Sequence, residues 1–340
     1  MTQPTTTLAL ALRDGGYAKA PTPQVPDSLA PFLDLRDVPL PGLAPGQVLI
    51  AVILSPVNPS DLFFVQGGYG QPRVQGQAAG FEGVGRVIAT NGADALIGQR
   101  VAFLGTGTGA WAKHAIADAA LCIPLDEAVS DIDGAALIVN PLTAVALVER
   151  ARSGGQAFVV NAAGSQLGRL ILGLARDEGL TAIAVIRRPG EEDALRDAGA
   201  AEVLVTSDPA FRAQAAAVIK AHKPRVLLDA VGDQATADLF FAMPSGARWV
   251  SYGKMSDDAP SLTQMGQFIF MDKHIEGFWL SRWLPSAPAD RVAAVVAQVQ
   301  TRFATGTWTT RVATELTLDQ AIDGILPAYA TSSGKVMIRP

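Results

Sequence analysis

The sequence predicts an α/β protein built from two domains, one β-rich and barrel-like, the other with a doubly wound parallel sheet. Three observations predict this class. The chain of 340 residues is long enough for two domains of about 150 residues each. Short apolar runs separated by glycine and proline fill the first third, which is typical of a barrel. From about residue 126 onward, apolar runs alternate with Ala- and Leu-rich segments of helical spacing, which is typical of a parallel sheet with crossover helices.

The first third contains three clear strand candidates. Residues 48–54 form a β-branched apolar run directly after a Pro-Gly turn at Pro45 and Gly46, and such a run predicts a strand. Residues 83–88 and 100–103 are shorter apolar runs among glycines. Short strands with this punctuation predict a barrel-like domain.

In the middle of the chain predicted strands alternate with predicted helices, and the C-terminal stretch contains both helices and a strand. A first strand at 157–160 is followed by a helix at 167–178, a strand at 182–186 and a helix at 191–198. Further strands are predicted at 202–205, 226–229 and 248–252. The tail contains amphipathic helices at 289–303 and 318–330 and a closing strand at 335–338.

Composition and charge exclude several classes of protein. Hydrophobic residues make up 49% and charged residues 17% of the chain, so it can bury large cores and is not mainly disordered. A net charge of −5 argues against a general nucleic-acid binder. The single cysteine, Cys122, excludes an internal disulfide and a cysteine-cage metal site. We expect Cys122 to be a small buried apolar residue, with a reactive thiol as the alternative.

The sequence shows no targeting signal that would direct the protein out of the cytoplasm. No stretch of about 18 consecutive apolar residues could span a membrane, and the first short apolar run lacks the charged region that precedes a signal sequence. We therefore expect a cytoplasmic protein without a membrane partner. The three histidines, His114, His222 and His274, do not pair at ligand spacing, so no metal is expected.

A turn after the strand at 157–160 has the context of a dinucleotide site. Such a site needs a strand, a tight turn of small residues and a helix N-terminus. In the Gly-x-Gly-x-x-Gly register stand Ala163, Ser165 and Gly168, so only the third glycine is present, although alanine and serine are also small. The alternative is a plain strand-turn-helix connection without a ligand.

The end of the next strand indicates which dinucleotide would bind. An NAD enzyme presents Asp or Glu there to bond the ribose hydroxyls, whereas this chain has Arg187 and Arg188. Two guanidinium groups suit a 2′-phosphate, which favours NADPH (NADP) over NADH. The alternative is a solvated basic pair balanced by Glu191 and Glu192.

Seven segments resemble those of a known family. They are residues 58–62, 66–70, 81–85, 140–143, 229–232, 252–255 and 277–283. In this order the segments resemble those of the medium-chain dehydrogenase/reductases, and within them the zinc-free 2-enoyl thioester reductases and quinone oxidoreductases. The narrower likeness depends chiefly on segments 66–70 and 277–283.

The resemblance implies a fold, a set of site residues and an assembly. The fold is a GroES-like barrel domain, residues 1–125 and 284–340, that provides the substrate and catalytic site, with a Rossmann NADP-binding domain, residues 126–283, inserted. Zinc-binding relatives place a cysteine where Asn58 stands and a histidine where Phe81 stands, so a zinc site is not expected. The resemblance also implies a homodimer formed through a sheet edge within residues 268–279. Together with the turn and the arginine pair it assigns to the cofactor Asn140, Thr143, Gly164, Ser165, Gln166, Leu167, Gly168, Arg187, Arg188, Tyr252, Gly253, Lys254, Met255, Phe278, Trp279, Leu280 and Lys335.

Tyr69 is the proton donor that the resemblance implies. The expected reaction is hydride transfer from NADPH to the β-carbon of a trans-2-enoyl thioester, linked to CoA or acyl carrier protein, with a proton from Tyr69 to the α-carbon. A phenol is neutral at pH 7 and can donate, and we expect Gly68 and Gly70 to let the backbone turn around it. A tyrosine that only packs is the alternative.

Other residues and other reactions complete the hypothesis. We expect Asn58 to contact substrate or Tyr69, in an extended conformation because it precedes Pro59. Phe278, Trp279 and Trp283 would form an acyl pocket, or alternatively part of a core. Two other functions stay open: an NADPH:quinone or enal/enone reductase, which needs no donor at Tyr69, and a non-catalytic NADPH-binding protein.

Overall fold

A computed structural model describes residues 3–331 and 334–340 of the chain. The N-terminal stretch contains β1 (Thr6–Leu12), β2 (Leu33–Pro39), β3 (Gln47–Pro56), α1 (Pro59–Val65), β4 (Glu82–Thr90), β5 (Arg100–Leu104), β6 (His114–Asp118), β7 (Cys122–Pro124) and α2 (Asp131–Ala135). The middle stretch contains α3 (Val139–Arg152), β8 (Ala157–Val160), α4 (Gln166–Asp177), β9 (Thr181–Ile186), α5 (Glu192–Ala198), β10 (Ala200–Val205), α6 (Phe211–His222), β11 (Val226–Asp229), α7 (Gln234–Ala242), β12 (Arg248–Ser251), α8 (Gly266–Phe270), β13 (His274–Gly277) and α9 (Leu280–Ser286). The C-terminal stretch contains α10 (Ala289–Ala304), β14 (Val312–Thr317), α11 (Leu318–Thr331) and β15 (Lys335–Arg339).

Unit 1 comprises Met1–Val139 and Val296–Pro340. Its described residues form a sheet in the order β14-β15-β3-β4-β5-β7, with β6 paired to β3, and a separate antiparallel pair of β1 and β2. The closing strand β15 pairs with β3, Ile338 opposite Ser55, which brings the C-terminal stretch back to the β-rich unit. Leu10, Leu62 and Ile338, each with no exposed surface, lie in one core. The predicted β-rich barrel-like class is confirmed.

Unit 2 comprises Asn140–Val295. Its described residues form a six-stranded parallel sheet in the order β10-β9-β8-β11-β12-β13. The inner strands β8, β9 and β11 are mostly apolar and buried, which is typical of a parallel sheet whose faces are covered by helices. Since the strands are parallel, their carboxyl ends lie along one edge. The strand order reverses between β8 and β11, and open α/β sheets bind their ligands at such a reversal.

Both boundaries between the two units lie further along the chain than the domain boundaries predicted from the sequence. The predicted limits were residues 125 and 283, whereas the units change at Val139 and Val295. The first difference has a packing reason, because Ala135 and Ala136 lie in one buried cluster with Leu54 and Val84 of the barrel strands. The second division falls inside helix α10. Within the described residues, no helix is both long enough and apolar enough to cross a membrane.

Candidate active site

Tyr69 lies in a tight turn that follows α1. The left-handed conformation of this turn is adopted by Gly67, with φ at 83°, rather than by Gly68 or Gly70 as the sequence suggested. Gly68 is required for a different reason, because a Cβ atom there would lie 2.4 Å from the ring of Phe63. The turn is therefore built from one glycine for conformation and one for close packing.

Packing on two sides fixes the Tyr69 turn. The Tyr69 and Phe81 ring centroids are 5.1 Å apart, and Phe81 in turn lies 4.9 Å from Phe64. The buried guanidinium of Arg73 donates to the Val65 carbonyl at 3.0 Å and to the Gly16 carbonyl at 3.1 Å. Tyr69 is half-buried, so its ring is held while part of its surface stays accessible, as a general acid requires.

Beneath this turn, unit 1 contains a buried cluster of charged residues. Asn58 Nδ2 donates to Glu82 Oε1 at 2.9 Å, and Lys335 Nζ donates to Asn58 Oδ1. Asp61 accepts from the backbone N–H of Asn58 at 2.8 Å and from that of Phe81 at 2.8 Å. Asp61 therefore ties the start of α1 to the residue on which Tyr69 packs.

Burial shifts the titration of all three ionisable groups in this cluster. It raises the pKa of Asp61 to about 7, with a further rise from the charge of Glu82. It also raises the pKa of Glu82 and lowers the pKa of Lys335, and the attraction between these two groups opposes both shifts. One ammonium cannot balance two buried carboxylates, so the neutral form of Asp61 is favoured below about pH 7.

The cluster changes how two predicted site residues are interpreted. Asn58 is extended, as its place before Pro59 predicted, with φ −103° and ψ 155°, but it is only 1% exposed. Lys335 is 7% exposed and is bonded to Asn58. In the structure both side chains serve the buried cluster, so a direct contact of either one with substrate or cofactor stays a prediction.

The residues that could bind metal are dispersed. Across residues 3–331 and 334–340, His, Cys, Asp and Glu side chains form no group of three or more that could hold a metal ion. Cys122 is 8% exposed, and burial, with the nearby charge of Asp118, raises the pKa of its thiol to about 12. A thiolate is therefore scarce at neutral pH, which fits a packing role for this residue.

In unit 2, the predicted dinucleotide turn joins β8 to α4. Ser165 caps the helix, since its hydroxyl accepts from the Gly168 N–H at 3.0 Å. A Cβ atom at Gly168 would lie 2.5 Å from the Ala163 carbonyl oxygen, so the helix approaches the turn too closely for any other residue. Ala162 has a positive φ of 48°, which is uncommon for a residue with a Cβ atom.

Arg187 and Arg188 directly follow β9 and are exposed. The acidic residues that could have balanced them interact elsewhere. Glu191 forms an ion pair with Arg169 at 2.8 Å, and Glu192 accepts from the Gly190 N–H at 2.6 Å. In the described part of the chain neither Arg187 nor Arg188 forms an ion pair, so both guanidinium groups are available to an anion.

Three further predicted cofactor segments lie in the same unit. Tyr252, Gly253, Lys254 and Met255 follow β12, and the Met255 N–H donates to the Ala230 carbonyl at 2.8 Å. The buried hydroxyl of Tyr252 finds no partner among the described residues, and its burial and the charge of Asp229 raise the pKa of Tyr252. In α3, Asn140 is half-buried and Thr143 is 7% exposed. The orphaned Tyr252 hydroxyl is a feature that a polar ligand would satisfy.

The aromatic segment after β13 lines a groove of about 330 Å³. Phe278 is largely buried and lies under the Arg150 guanidinium, 5.5 Å from its ring centroid. Trp279 and Trp283 are half-buried. Leu280 begins α9 and is buried. The groove is lined by Arg150, Gly277, Phe278, Trp279, Arg282, Trp283 and Ser286, so the tryptophans are wall residues rather than core.

Sequence reasoning missed the polar residues that support these segments. Asn161 and Asp229 follow or end two neighbouring strands of unit 2, are buried and are bonded to each other. In unit 1 the corresponding buried polar residues, whose hydrogen bonds hold the segments around Tyr69, are Asp61, Glu82 and Arg73. The available signal was a polar residue directly at the carboxyl end of an apolar strand, as at Asn161 after 157–160 and Asp229 in 226–229.

These features define a class of protein: a β-rich barrel unit combined with a dinucleotide-binding parallel sheet. Comparison with known proteins narrows the class. Residues 44–127 match the alcohol dehydrogenase GroES-like domain. The chain is 30% identical over 264 residues to the mitochondrial enoyl-[acyl-carrier-protein] reductase of Xenopus tropicalis, covering 74% of each chain.

Two solved structures extend the comparison. The structure described as a putative NADPH:quinone reductase from Mesorhizobium loti is 44% identical, with a TM-score of 0.96 and full coverage of both chains. The Etr1p/NADP/crotonyl-CoA complex, whose Etr1p comes from Candida tropicalis, shares the fold at 20% identity, with a TM-score of 0.80 over 98% of this chain and 100% of that one.

The chain belongs to the medium-chain dehydrogenase/reductase family, in the branch that contains the enoyl thioester reductases and the quinone oxidoreductases. Its members are oxidoreductases, so the expected family and the expected class of enzyme are both confirmed.

Proposed function

We propose that the protein is an NADPH-dependent, zinc-independent reductase of activated C=C bonds and that its substrate is a trans-2-enoyl thioester of CoA or acyl carrier protein. The proposal assigns the nucleotide to unit 2 and the proton donor, Tyr69, to unit 1. The likeness to a mitochondrial enoyl-[acyl-carrier-protein] reductase at 30% identity supports the substrate class.

NADPH recognition is proposed for the carboxyl edge of the parallel sheet. The pyrophosphate would bind at the turn from Ala163 to Gly168, where the N-terminus of α4 carries a partial positive charge. Arg187 and Arg188 would bind the 2′-phosphate, which is supported by their exposure and by the engagement of Glu191 and Glu192 elsewhere. The Tyr252 hydroxyl would gain a partner from the bound nucleotide.

The chemistry divides between the nucleotide and Tyr69. NADPH, when bound, supplies the hydride for the β-carbon of the substrate. Addition there leaves an enolate whose oxygen needs hydrogen-bond donors, and Tyr69 then gives its phenol proton to the α-carbon. The acyl chain would lie along Phe278 and Trp279. Asn58 supports zinc independence, because it stands where zinc-binding relatives place a cysteine and its amide is bonded to Glu82 and Lys335.

One observation carries the choice of an enoyl substrate: a half-buried tyrosine whose ring is fixed 5.1 Å from Phe81 in a turn that only glycines permit. A quinone can take its proton from water and needs no such group. A positioned acid contributes roughly 10²- to 10⁴-fold to the rate of a proton-transfer step.

The test compares NADPH oxidation with a series of trans-2-enoyl-CoA substrates and with a 1,4-quinone. Tyr69→Phe should lower enoyl reduction about 100-fold or more and leave NADPH binding intact. Tyr329→Phe is the matched control, since Tyr329 is a partly buried tyrosine packed against the same core. Strong quinone reduction with no enoyl reduction by the wild-type protein would overturn the proposal.

An NADPH:quinone oxidoreductase is the second candidate, and the similarity at 44% identity to a structure so described supports it. In that case Tyr69→Phe would leave quinone reduction unchanged. A non-catalytic NADPH-binding protein would bind the nucleotide and reduce neither substrate.

We also propose a homodimer that pairs through β13, in the cytoplasm. Among the described strands β13 is paired only to β12, and near it Ile269 and Phe270 are 76% and 84% exposed. Large exposed apolar side chains at a sheet edge are typical of an interface. Sedimentation of Ile269→Asp should show a monomer where the wild-type protein shows a dimer, and unchanged sedimentation would contradict this interface.

A further inference from the structure

Two polar side chains meet in the interior of unit 2 where the strand order reverses. Asn161 directly follows β8, and Asp229 ends the neighbouring strand β11. Asn161 is 4% exposed and Asp229 is not exposed at all. Two such groups would be costly to bury without partners, so their hydrogen bonds show what each of them holds in place.

Asn161 uses both ends of its amide. Its nitrogen donates to Asp229 Oδ1 and, at 3.0 Å, to the Thr236 hydroxyl in the first turn of α7. Its oxygen accepts from the Ala230 N–H at 2.7 Å. One side chain therefore connects the start of the β8–α4 turn to the β11–α7 loop and to the helix beyond it.

Asp229 organises the loop that follows it. Its Oδ1 accepts from the N–H groups of Val231 and Gly232 at 2.8 and 2.9 Å. Its Oδ2 accepts from the Trp249 indole N–H at 2.8 Å, and its carbonyl accepts from the Tyr252 N–H at 2.8 Å. With its carboxylate Asp229 therefore ties the loop after β11 to β12, and with its backbone carbonyl it holds the segment after β12.

The residue after Asn161 shows that the turn is held in an unusual conformation. Ala162 adopts a left-handed backbone with φ at 48°, which residues with a Cβ atom rarely do. Such a conformation persists where the surroundings fix it. The fixed groups on either side are Asn161, through its side chain, and Ala163, whose N–H donates to the Val185 carbonyl at 3.3 Å.

From this geometry we propose that Asn161 and Asp229 are positioning residues that set the affinity for the dinucleotide. They lock the β8–α4 turn and the β11–α7 loop to each other before the nucleotide binds, so that neither must be ordered at the moment of binding. This inference rests on the proposed function, because it takes NADPH to be the ligand of that edge.

The experiment measures NADPH binding by fluorescence titration and amide hydrogen exchange of the nucleotide-free protein. Asn161→Ala should weaken NADPH binding by about tenfold or more and should accelerate exchange in residues 161–168 and 229–236 together. Val226→Ala is the matched control, because Val226 is a buried residue at the opposite end of β11. It should lower the melting temperature without a selective effect on binding or on these two segments.

Double substitutions test whether the two residues act as a pair. Asn161→Asp alone places two carboxylates together and should weaken NADPH binding most, whereas adding Asp229→Asn, which exchanges the amide and the carboxylate, should restore part of the affinity. The effects of Asn161→Ala and Asp229→Asn should be clearly less than additive in the double variant.

The outcomes separate this inference from the proposed function. NADPH affinity of Asn161→Ala within twofold of wild type, or faster exchange in one segment only, would overturn the positioning role. A wild-type protein that binds no NADPH would overturn the proposed cofactor itself, and with it the role of the pair in nucleotide affinity.

Discussion

Replacing Asp61 by asparagine should remove a pH-dependent loss of stability that the wild-type protein undergoes between about pH 4 and pH 7. In the folded protein Asp61 is fully buried with Glu82 and with a single cation, Lys335. Burial raises the pKa of Asp61 from 3.8 to about 7. Between these two values the folded state holds a proton that the unfolded state has released, so the free energy of unfolding falls as the pH rises.

The size of the effect follows from the pKa shift. A rise from 3.8 to about 7 is about 3 pH units, and at 1.36 kcal/mol per unit this corresponds to a loss of about 4 kcal/mol. A single proton limits the slope to about 1.4 kcal/mol per pH unit. Asparagine cannot accept from the backbone N–H groups of both Asn58 and Phe81, so the variant also carries a constant offset that does not depend on pH.

The assay is urea unfolding of both proteins at closely spaced pH values. The difference in unfolding free energy, wild type minus Asp61→Asn, should fall by about 4 kcal/mol from pH 4 to pH 8. Infrared difference spectra should show a protonated-carboxyl band at pH 6 in the wild-type protein that is weaker in the variant by the contribution of Asp61. Asp27→Asn, at an exposed position, is the control and should give a flat difference. A flat difference for Asp61→Asn would refute the reasoning.

Three further predictions concern the nucleotide and the metal. Removing both guanidinium groups in Arg187→Ala/Arg188→Ala should weaken NADPH binding about 100-fold, at about 1.5 kcal/mol per charge-assisted contact, with little effect on NADH binding. Equal losses for the two nucleotides would contradict a 2′-phosphate site. The control is Arg212→Ala, at an exposed arginine. Gly168→Ala should weaken NADPH binding at least tenfold and cost about 1–3 kcal/mol of stability, because its Cβ atom would lie 2.5 Å from the Ala163 carbonyl oxygen. Titration calorimetry measures the binding and scanning calorimetry the stability. Unchanged binding would show that the turn does not hold the nucleotide. Prolonged dialysis against a chelator should leave enoyl reduction unchanged, and a loss that zinc restores would contradict the proposed zinc independence.

The sequence predicted the elements whose pattern is local. Strands β8 and β11 have the predicted bounds because each is a short run of buried residues that is apolar throughout in β8 and apolar up to Asp229 in β11. Strand β14 was not predicted, since its six residues alternate between half-buried and exposed and its place depends on pairing with β15, which follows helix α11. The pattern of strand β13 did not predict it either, because His274–Gly277 is mostly exposed; only the family resemblance implied a sheet edge within residues 268–279.

The candidate site was predictable in its nucleotide contacts and less so in its support. Arg187 and Arg188 follow a recognisable strand, so their position could be inferred from order alone. Asp61 and Glu82 are ordinary acidic residues in the sequence, and only the fold brings them to Lys335, more than 250 residues away. Gly67 could not be distinguished from Gly68 and Gly70, because conformation and steric contact decide which glycine makes the turn and which one permits packing.

Cys122 has a practical consequence. Its thiol is buried and its pKa is raised to about 12, so maleimides and disulfide reagents should not react with it in the native protein. The chain therefore needs no cysteine removal before chemical labelling. A cysteine introduced at an exposed position of either unit would be the single reactive thiol, which makes the native sequence a ready background for spin labels or fluorophores.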